Sequence, residues 1–545
     1  MYWRKNKLNK KIFFIYLLIL PVLLFVTVHI LKLVQGPYYL NFYDPSYVYL
    51  ISSLNLSQLS GFGIAHFDHP GTTVQVAGAL LVRVYHFLSG SNLNIANDVL
   101  TNPEMYLYFI NTVYLIISCV CLFILGIFTF KLSNNIILSL LIQLSPFTST
   151  EIFYGLIIDT PDNFLVFVSL IFVGFLIYYL FKIDAKTKTP FRFIIIAGLI
   201  CGFGLVTKLN FLPSVLIPLI IIKEFKGKLY FLFFTFLSFL IFFSPVLTNY
   251  GLFLEWIEKL FINSGRYGTG EATVINETYF FGNILKIFQV DKFYFFAYLI
   301  SFVSLLMMLF KKSLTKKDYV FKYPGKEIKL LSAIFISMNF QILLVAKHYS
   351  QYYLIPSFML SVFALILSAN ILKSYFYKIN FKINYVYIIF IVFISTLSLY
   401  KIIYSYYEGM EQRKEAQMVV DMVEKNYSNE IVISGFGSAN KNCALAFAVQ
   451  YASDQKEKYN TILREMGRAG IFYNPWTNKL YYNLDKFEFE NKIIKSKKII
   501  FQINSYGNVD NFTELLKTEF NKEIISIKKI ITNRNAESVY EIITN

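Results

Sequence analysis

Apolar runs long enough to cross a bilayer recur through this chain from Ile12 to Tyr404. In hydrocarbon the backbone has no water to bond, so such runs can only form helices whose hydrogen bonds are closed within each segment. The spans expected on this basis are Ile12–Val34, Tyr106–Phe130, Asn135–Ser149, Pro161–Phe181, Phe191–Thr207, Leu209–Ile222, Leu229–Thr248, Phe293–Phe310, Leu330–Ala346, Tyr352–Leu372 and Tyr385–Tyr404. About eleven transmembrane helices are therefore expected, several of them short, in a polytopic α-helical membrane protein. Hydrophobic residues make up 56% of the chain and charged ones 16%, which leaves little polar surface for a soluble fold. The net charge of +17 would suit nucleic acid, but Lys and Arg cluster in short segments between apolar runs and read as topology signals. The lipid bilayer is the expected partner, and nucleic acid is not. Of the four cysteines, Cys119, Cys121 and Cys201 lie inside apolar runs, so neither a disulfide framework nor a metal spacing is present.

The basic start "MYWRKNKLNKK" precedes a run too long for a cleaved signal, so the amino terminus is expected in the cytoplasm. Thr72 to Leu88 is apolar but contains Gln75, Arg83 and His86, and it reads as a helix lying in the interface rather than a span. With it excluded, the basic segments Lys182–Arg192, Lys223–Lys228, Lys311–Lys329 and Lys373–Lys382 all fall on the cytoplasmic side. Counting it as a span would turn them outward. The same parity puts Asp44 and Asp159 on the outer face, in a first outer loop of residues 35–105 and at the start of a later span.

After Tyr404 the character changes. Residues 405–545 alternate helical periods, as in "EQRKEAQMVVDMVEKNY" and "DNFTELLKTEF", with strand-like runs such as "EIVISGF", "KKIIFQI", "EIISIKKIIT" and "ESVYEIIT". A transmembrane domain of residues 1–404 is thus followed by a small α/β extracytoplasmic domain. The glycine-rich "SGFGSAN" lacks the spacing of either nucleotide-binding fingerprint.

An ionisable residue closely bounded by apolar sequence is costly near a bilayer and is a functional candidate by default. Four such places face the same expected compartment: Asp44 with the "HFDHPG" stretch (His66, Asp68, His69), Asp159 in "YGLIIDTPDNF", Lys208 in "GFGLVTKLN", and "KHYSQYYLIP" with Lys347, His348 and Tyr352. Each has a plainer reading. Asp44 before Pro45 suits a turn, Asp159 before Thr160 and Pro161 suits a helix cap, Lys208 can snorkel between two short spans, and Lys347 with His348 can mark a span end. The pattern specifies no cofactor. A divalent metal is the one candidate, since His66, Asp68 and His69 with Asp44 or Asp159 would suit zinc.

The order of "YDPSY", "DHPGT", "SPFTSTEIFYGLIIDTPDNF", "GFGLVTKLN" and "YYLIP" over residues 40–360 resembles the C-type, polyprenyl-phosphate-sugar-dependent glycosyltransferases, in the branch of protein O-mannosyltransferases and the lipid A aminoarabinose transferase. In that branch an acidic residue follows the first span, a His-Pro-Pro-Leu or Lys-Pro-Pro-Leu stretch ends the first loop, and Asp-Thr-Pro, Leu-Thr-Lys and Tyr-Leu-Leu-Pro stretches follow. The chain departs from the pattern at Pro45, where a Glu often follows the acidic residue, and at Gly71, which replaces the second Pro. The resemblance implies an inverting transfer of a sugar from a polyprenyl-phosphate donor to an extracytoplasmic acceptor, at the outer face of a bacterial inner membrane. Asp44 would be the general base, Asp159 would orient the acceptor or the partners of Asp44, and Lys208, Arg266 in "SGRYGTG" and His69 would receive the leaving phosphate. The readings from other classes are a polytopic transporter or lipid flippase, whose charges would line a pathway, and a non-catalytic assembly or receptor protein.

Overall fold

The computed structural model describes residues 7–41, 43–58, 64, 66, 69–184, 187–265, 268–314, 325–376, 382–468, 470–483 and 485–545. Among these, eight helices are long and apolar enough to cross a membrane, including Ile12–Gln35, Pro103–Ser133, Pro161–Lys182, Gly325–Lys347 and Ile383–Tyr427. Phe191–Thr207 and Leu209–Ile221 are shorter apolar helices. The run expected at Asn135–Ser149 is not one helix. It is Ile136–Gln143, a 3-10 turn over Ser145–Phe147 and then Thr150–Ile157. Pro146 lacks the N–H that would continue the ladder, and the Ser149 side chain caps the next helix at the Glu151 N–H. The chain is an integral membrane protein carrying a carboxyl-terminal sheet domain.

Side-chain contacts sort the helix ends into two sets. At one end Lys326 Nζ donates to the carbonyls of Leu180 and Ile183, Lys329 Nζ to Ile221 O at 3.0 Å, and Asn135 Nδ2 to Asn384 Oδ1 at 2.8 Å. At the other, Arg413 donates to Leu33 O at 3.0 Å, Lys347 Nζ to Leu260 O at 2.8 Å, and the Asp159 N–H to Ser46 Oγ at 3.3 Å. The helix Thr72–Ser89 has both its ends at this second face. The Gly71 N–H beside its start bonds Val206 O, and His86 near its end meets Asp98 Oδ2 and the Tyr106 phenol. It therefore does not span. Val76, Leu80, Val84 and Phe87 form an exposed stripe along one side of it, while Val74, Gly78 and Val82 are buried on the other, an arrangement that suits an interfacial helix.

The boundary expected after Tyr404 falls inside a helix, because Ile383–Tyr427 runs unbroken for 45 residues. No proline interrupts it, and its only glycine, Gly409, packs against Gln35. Beyond it six strands form one sheet in the order β3-β2-β1-β4-β6-β5: β1 Ile431–Gly435, β2 Ile471–Asn474, β3 Lys479–Tyr482, β4 Lys498–Ile503, β5 Ile524–Thr532 and β6 Ser538–Thr544. β2, β1 and β4 are parallel, and the outer pairs are antiparallel. One face of the sheet, through the helix Lys441–Val449, is buried with the Tyr43–Ser57 helix of the first loop. The contact is fixed by Asn55 Nδ2 to Ala452 O (2.9 Å) and by the Tyr459 hydroxyl to Asn55 Oδ1 (2.7 Å). The sheet domain thus sits on the loop that carries Asp44.

Candidate functional site

Asp44 stands at a kink. Proline at 45 disfavours the helical region for the residue before it, and Asp44 takes φ −102°, ψ 118°, which turns an exposed carboxylate out at the start of the Tyr43–Ser57 helix. The next turn of that helix is tied down. Ser46 receives the Asp159 N–H, and the Tyr47 hydroxyl donates to Glu104 Oε1 at 2.7 Å. Glu104 also accepts the N–H groups of Tyr38 (2.8 Å) and Tyr39 (3.2 Å), so one carboxylate holds the chain on both sides of Asp44.

The His66–Gly71 stretch is joined to Lys208 by a short antiparallel bridge between Pro70 and Lys208, with the Leu209 N–H on His69 O (3.1 Å) and the Gly71 N–H on Val206 O (3.1 Å). The His69 ring lies 6.0 Å from that of Tyr353 and 6.1 Å from that of Trp256, and the His66 ring sits edge-on between Tyr49 (5.0 Å) and Tyr451 (5.4 Å). The two imidazoles face different rings, and among the described residues no group of three or more His, Cys, Asp or Glu comes together as a metal site. Gly71 has φ +68°, and a Cβ there would meet Tyr49 Oη at 2.8 Å and Pro161 Cγ at 3.2 Å. Gly71→Ala is expected to cost about 1 kcal/mol or more and to push the loop off Tyr49. A melting temperature equal to that of the unaltered chain would contradict this.

Lys208 is 2% exposed, and its Nζ lies 2.7 Å from both carboxylate oxygens of Asp162. The ammonium also sits 4.5 Å from the ring centroid of Tyr352 and 5.1 Å from that of Tyr353, within cation–π range. The Tyr353 carbonyl is held in turn by Asn210 Nδ2 (3.0 Å) and Gln341 Nε2 (2.7 Å). Lys208 thus meets Tyr352 and, through the Pro70 bridge, the His69 stretch, while Asp159 meets the Asp44 turn at Ser46 and His66 packs on Tyr49 of the same helix. Lys347 and His348 serve another helix at this same end of the bundle. Lys347 Nζ caps the carbonyls of Leu260 and Phe261 at the close of the helix Tyr250–Ile262, and the His348 ring nitrogens meet the carbonyls of Gly265 (2.8 Å) and Leu260 (3.0 Å). Burial pushes the His348 imidazole below its ordinary range. Asp68 and Arg266 lie outside the described residues.

Three carboxylates at the site were not singled out from sequence. Asp162, Glu104 and Glu151 each stand in the first turn of an apolar helix, the position that also suits a plain helix-dipole partner. Glu151 is pushed up to about 7, by burial first and then by the charges of Asp291 and Asp162, against the pull of Lys401. Asp159 is 2% exposed, its Oδ1 has no partner among the described residues, and burial lifts it to about 8 although Lys32 opposes the shift.

The Asp159 shift fixes the sign of a pH effect. A carboxyl raised from its ordinary 3.8 to about 8 takes up a proton on folding, so its contribution to stability is lost as pH rises toward 8. Asp159→Asn removes that loss. Relative to the unaltered chain it is expected to melt higher at pH 8.5 than it does, by the same comparison, at pH 5.5. Parallel melting curves for the two proteins across this range would contradict the assignment.

No protein-family model matches the chain, and no curated protein matches it. Among solved structures the chain is similar to the crystal structure of ArnT from Cupriavidus metallidurans bound to undecaprenyl phosphate. The identity is 11% and the TM-score 0.43, over 96% of this chain and 97% of that one.

Proposed function

We propose that the chain is a membrane glycosyltransferase of the C-type superfamily, which moves a sugar from a polyprenyl-phosphate donor to an extracytoplasmic acceptor. The observation that carries this reading is convergence. The five stretches whose order resembles that superfamily lie up to hundreds of residues apart, yet Asp159 meets the Asp44 turn at Ser46, the His69 stretch is bridged to Lys208 through Pro70, and Lys208 faces Tyr352, which supports this reading. A transporter would place its charges along a pathway through the spans instead.

In this reading an acceptor hydroxyl or amine attacks the anomeric carbon from the face opposite the phosphate, and its proton passes to the Asp44 carboxylate. The bond from the anomeric carbon to the phosphate oxygen breaks with its electron pair on the phosphate, which inverts the centre. The leaving phosphate is a weak base and needs donors and cations rather than an acid. Lys208 offers the N–H that Asp162 does not take, His69 lies beside it, and Arg266 is a further candidate. Asp159, whose carboxyl burial lifts to about 8, orients the Asp44 turn through its N–H on Ser46. The exposed apolar flanks of the helices hold the polyprenyl chain, and the reactive face is the periplasmic side of a bacterial inner membrane.

The test is incubation of membranes containing the chain with radiolabelled polyprenyl-phosphate sugars. Label is expected in a product that no longer carries the polyprenyl phosphate and that forms only when the chain is present. Label that crosses the bilayer while still attached to the lipid would favour a flippase and refute the transferase reading.

A further inference from the structure

The sheet of the carboxyl-terminal domain has a switch point. β1 leads through the helix Lys441–Val449 to β2 on one side, whereas β4 lies on the other side of β1, and all three are parallel. In open α/β sheets the crevice outside the carboxyl ends of such strands is where ligands bind. Here each of the three loops that leave those ends supplies one aromatic ring: Phe436 after β1, Trp476 after β2 and Tyr506 after β4. Their centroids are 4.5 Å (Phe436–Trp476), 5.7 Å (Phe436–Tyr506) and 6.0 Å (Trp476–Tyr506) apart. Trp476 is 62% and Tyr506 60% exposed, so the cluster is not a small core. A large aromatic surface left in water needs a reason.

The loops are set before any ligand arrives. Asn474 Oδ1 accepts the N–H groups of Trp476 (3.0 Å) and Thr477 (3.3 Å), and Asn504 Oδ1 accepts that of Tyr506 (2.9 Å). The same crevice is closed to a phosphate, the usual occupant of such a glycine-rich turn. Glu537 Oε1 already holds the Ala439 N–H at 2.7 Å, and the Asn440 side chain takes those of Asn442 and Cys443 at 3.0 Å each. With these N–H groups already taken by side chains, the crevice suits a neutral ligand. A pyranose ring fits, because its axial C–H bonds are weakly positive and meet the negative face of an aromatic ring, while its hydroxyls remain in water.

The platform is connected to the candidate site. Rings run from Phe436 to Phe447 (5.4 Å), to Tyr451 (5.4 Å) and to His66 (5.4 Å).

We infer that Trp476, Tyr506 and Phe436 form a saccharide-binding platform, and that the acceptor it presents to the site is itself a carbohydrate. The second half rests on the glycosyltransferase reading; the first does not. The test is saturation-transfer NMR on the full chain, in a detergent without a sugar headgroup, using methyl glycosides of glucose, galactose, mannose and N-acetylglucosamine as probes and adenosine monophosphate as the phosphate control. Transfer to ring protons of at least one glycoside is expected, with loss in Trp476→Ala and in Tyr506→Ala and no transfer to the nucleotide. Absence of transfer to every glycoside, or transfer that survives both substitutions, would overturn the platform. So would quenching of the Trp476 fluorescence by brominated lipid in nanodiscs, which would make the rings a membrane anchor. Because no sugar donor is present, a positive result with no enzymatic transfer would leave the platform standing and remove only the acceptor role.

Discussion

Lys208→Ala is expected to cost about 3–5 kcal/mol of stability, the usual effect of removing one member of a buried ion pair and leaving its partner charged. Both Asp162 oxygens lie 2.7 Å from the ammonium, and neither side chain has more than a few per cent of its surface in water. The carboxylate left behind would have to take up a proton or draw in water, and Tyr352 and Tyr353 would lose the cation they face. Lys208→Met combined with Asp162→Asn is expected to recover most of the loss, since neutralising both partners removes the uncompensated charge. Lys208→Arg keeps the charge and should fall between. Thermal melting of the purified variants measures the series. A single alanine variant as stable as the unaltered chain would mean that the pair is not formed in the membrane protein as purified.

The second large effect is on rate. Asp44→Asn keeps the shape of the residue and its place before Pro45 but cannot take a proton, so transfer is expected to fall about 10²- to 10⁴-fold. Donor affinity should hardly change, because in the proposed mechanism the carboxylate serves the acceptor rather than the phosphate, and the loss should appear in kcat. Asp159→Asn is expected to be milder, since that side chain is buried and its carboxyl is lifted well above the ordinary range. Equal losses in both variants would point to a shared structural role for the Asp44 turn.

Much of this architecture follows from hydropathy, because a bilayer leaves the backbone few alternatives. The long spans, the non-crossing Thr72–Ser89 helix and strands β1, β4, β5 and β6 are all visible in the pattern. The pattern fails where one residue changes the local rule, as at Pro146, or where nothing changes it, as at Tyr404, where helical periodicity continues from membrane into water. β2 and β3, at four residues each, are too short for alternation to register. The site was legible as a set of stretches but not as a set of partners. Lys208 could be picked out by its apolar flanks, whereas its pairing with Asp162 joins residues 46 apart in sequence and depends on how two helices pack. Glu104 was hidden for the same reason: a carboxylate in the first turn of a helix looks like a cap until Tyr38, Tyr39 and Tyr47 arrive from elsewhere in the chain.

Asp44 is proposed to take the acceptor's proton during sugar transfer. The decisive measurement is single-turnover release of free polyprenyl phosphate from a labelled polyprenyl-phosphate sugar, with the purified chain in liposomes and an acceptor fraction from the cell envelope. The unaltered chain is predicted to release polyprenyl phosphate and labelled product in equal amounts, and well-folded Asp44→Asn to bind the donor while releasing neither. Release at near-normal rate by the Asn variant would contradict the central claim.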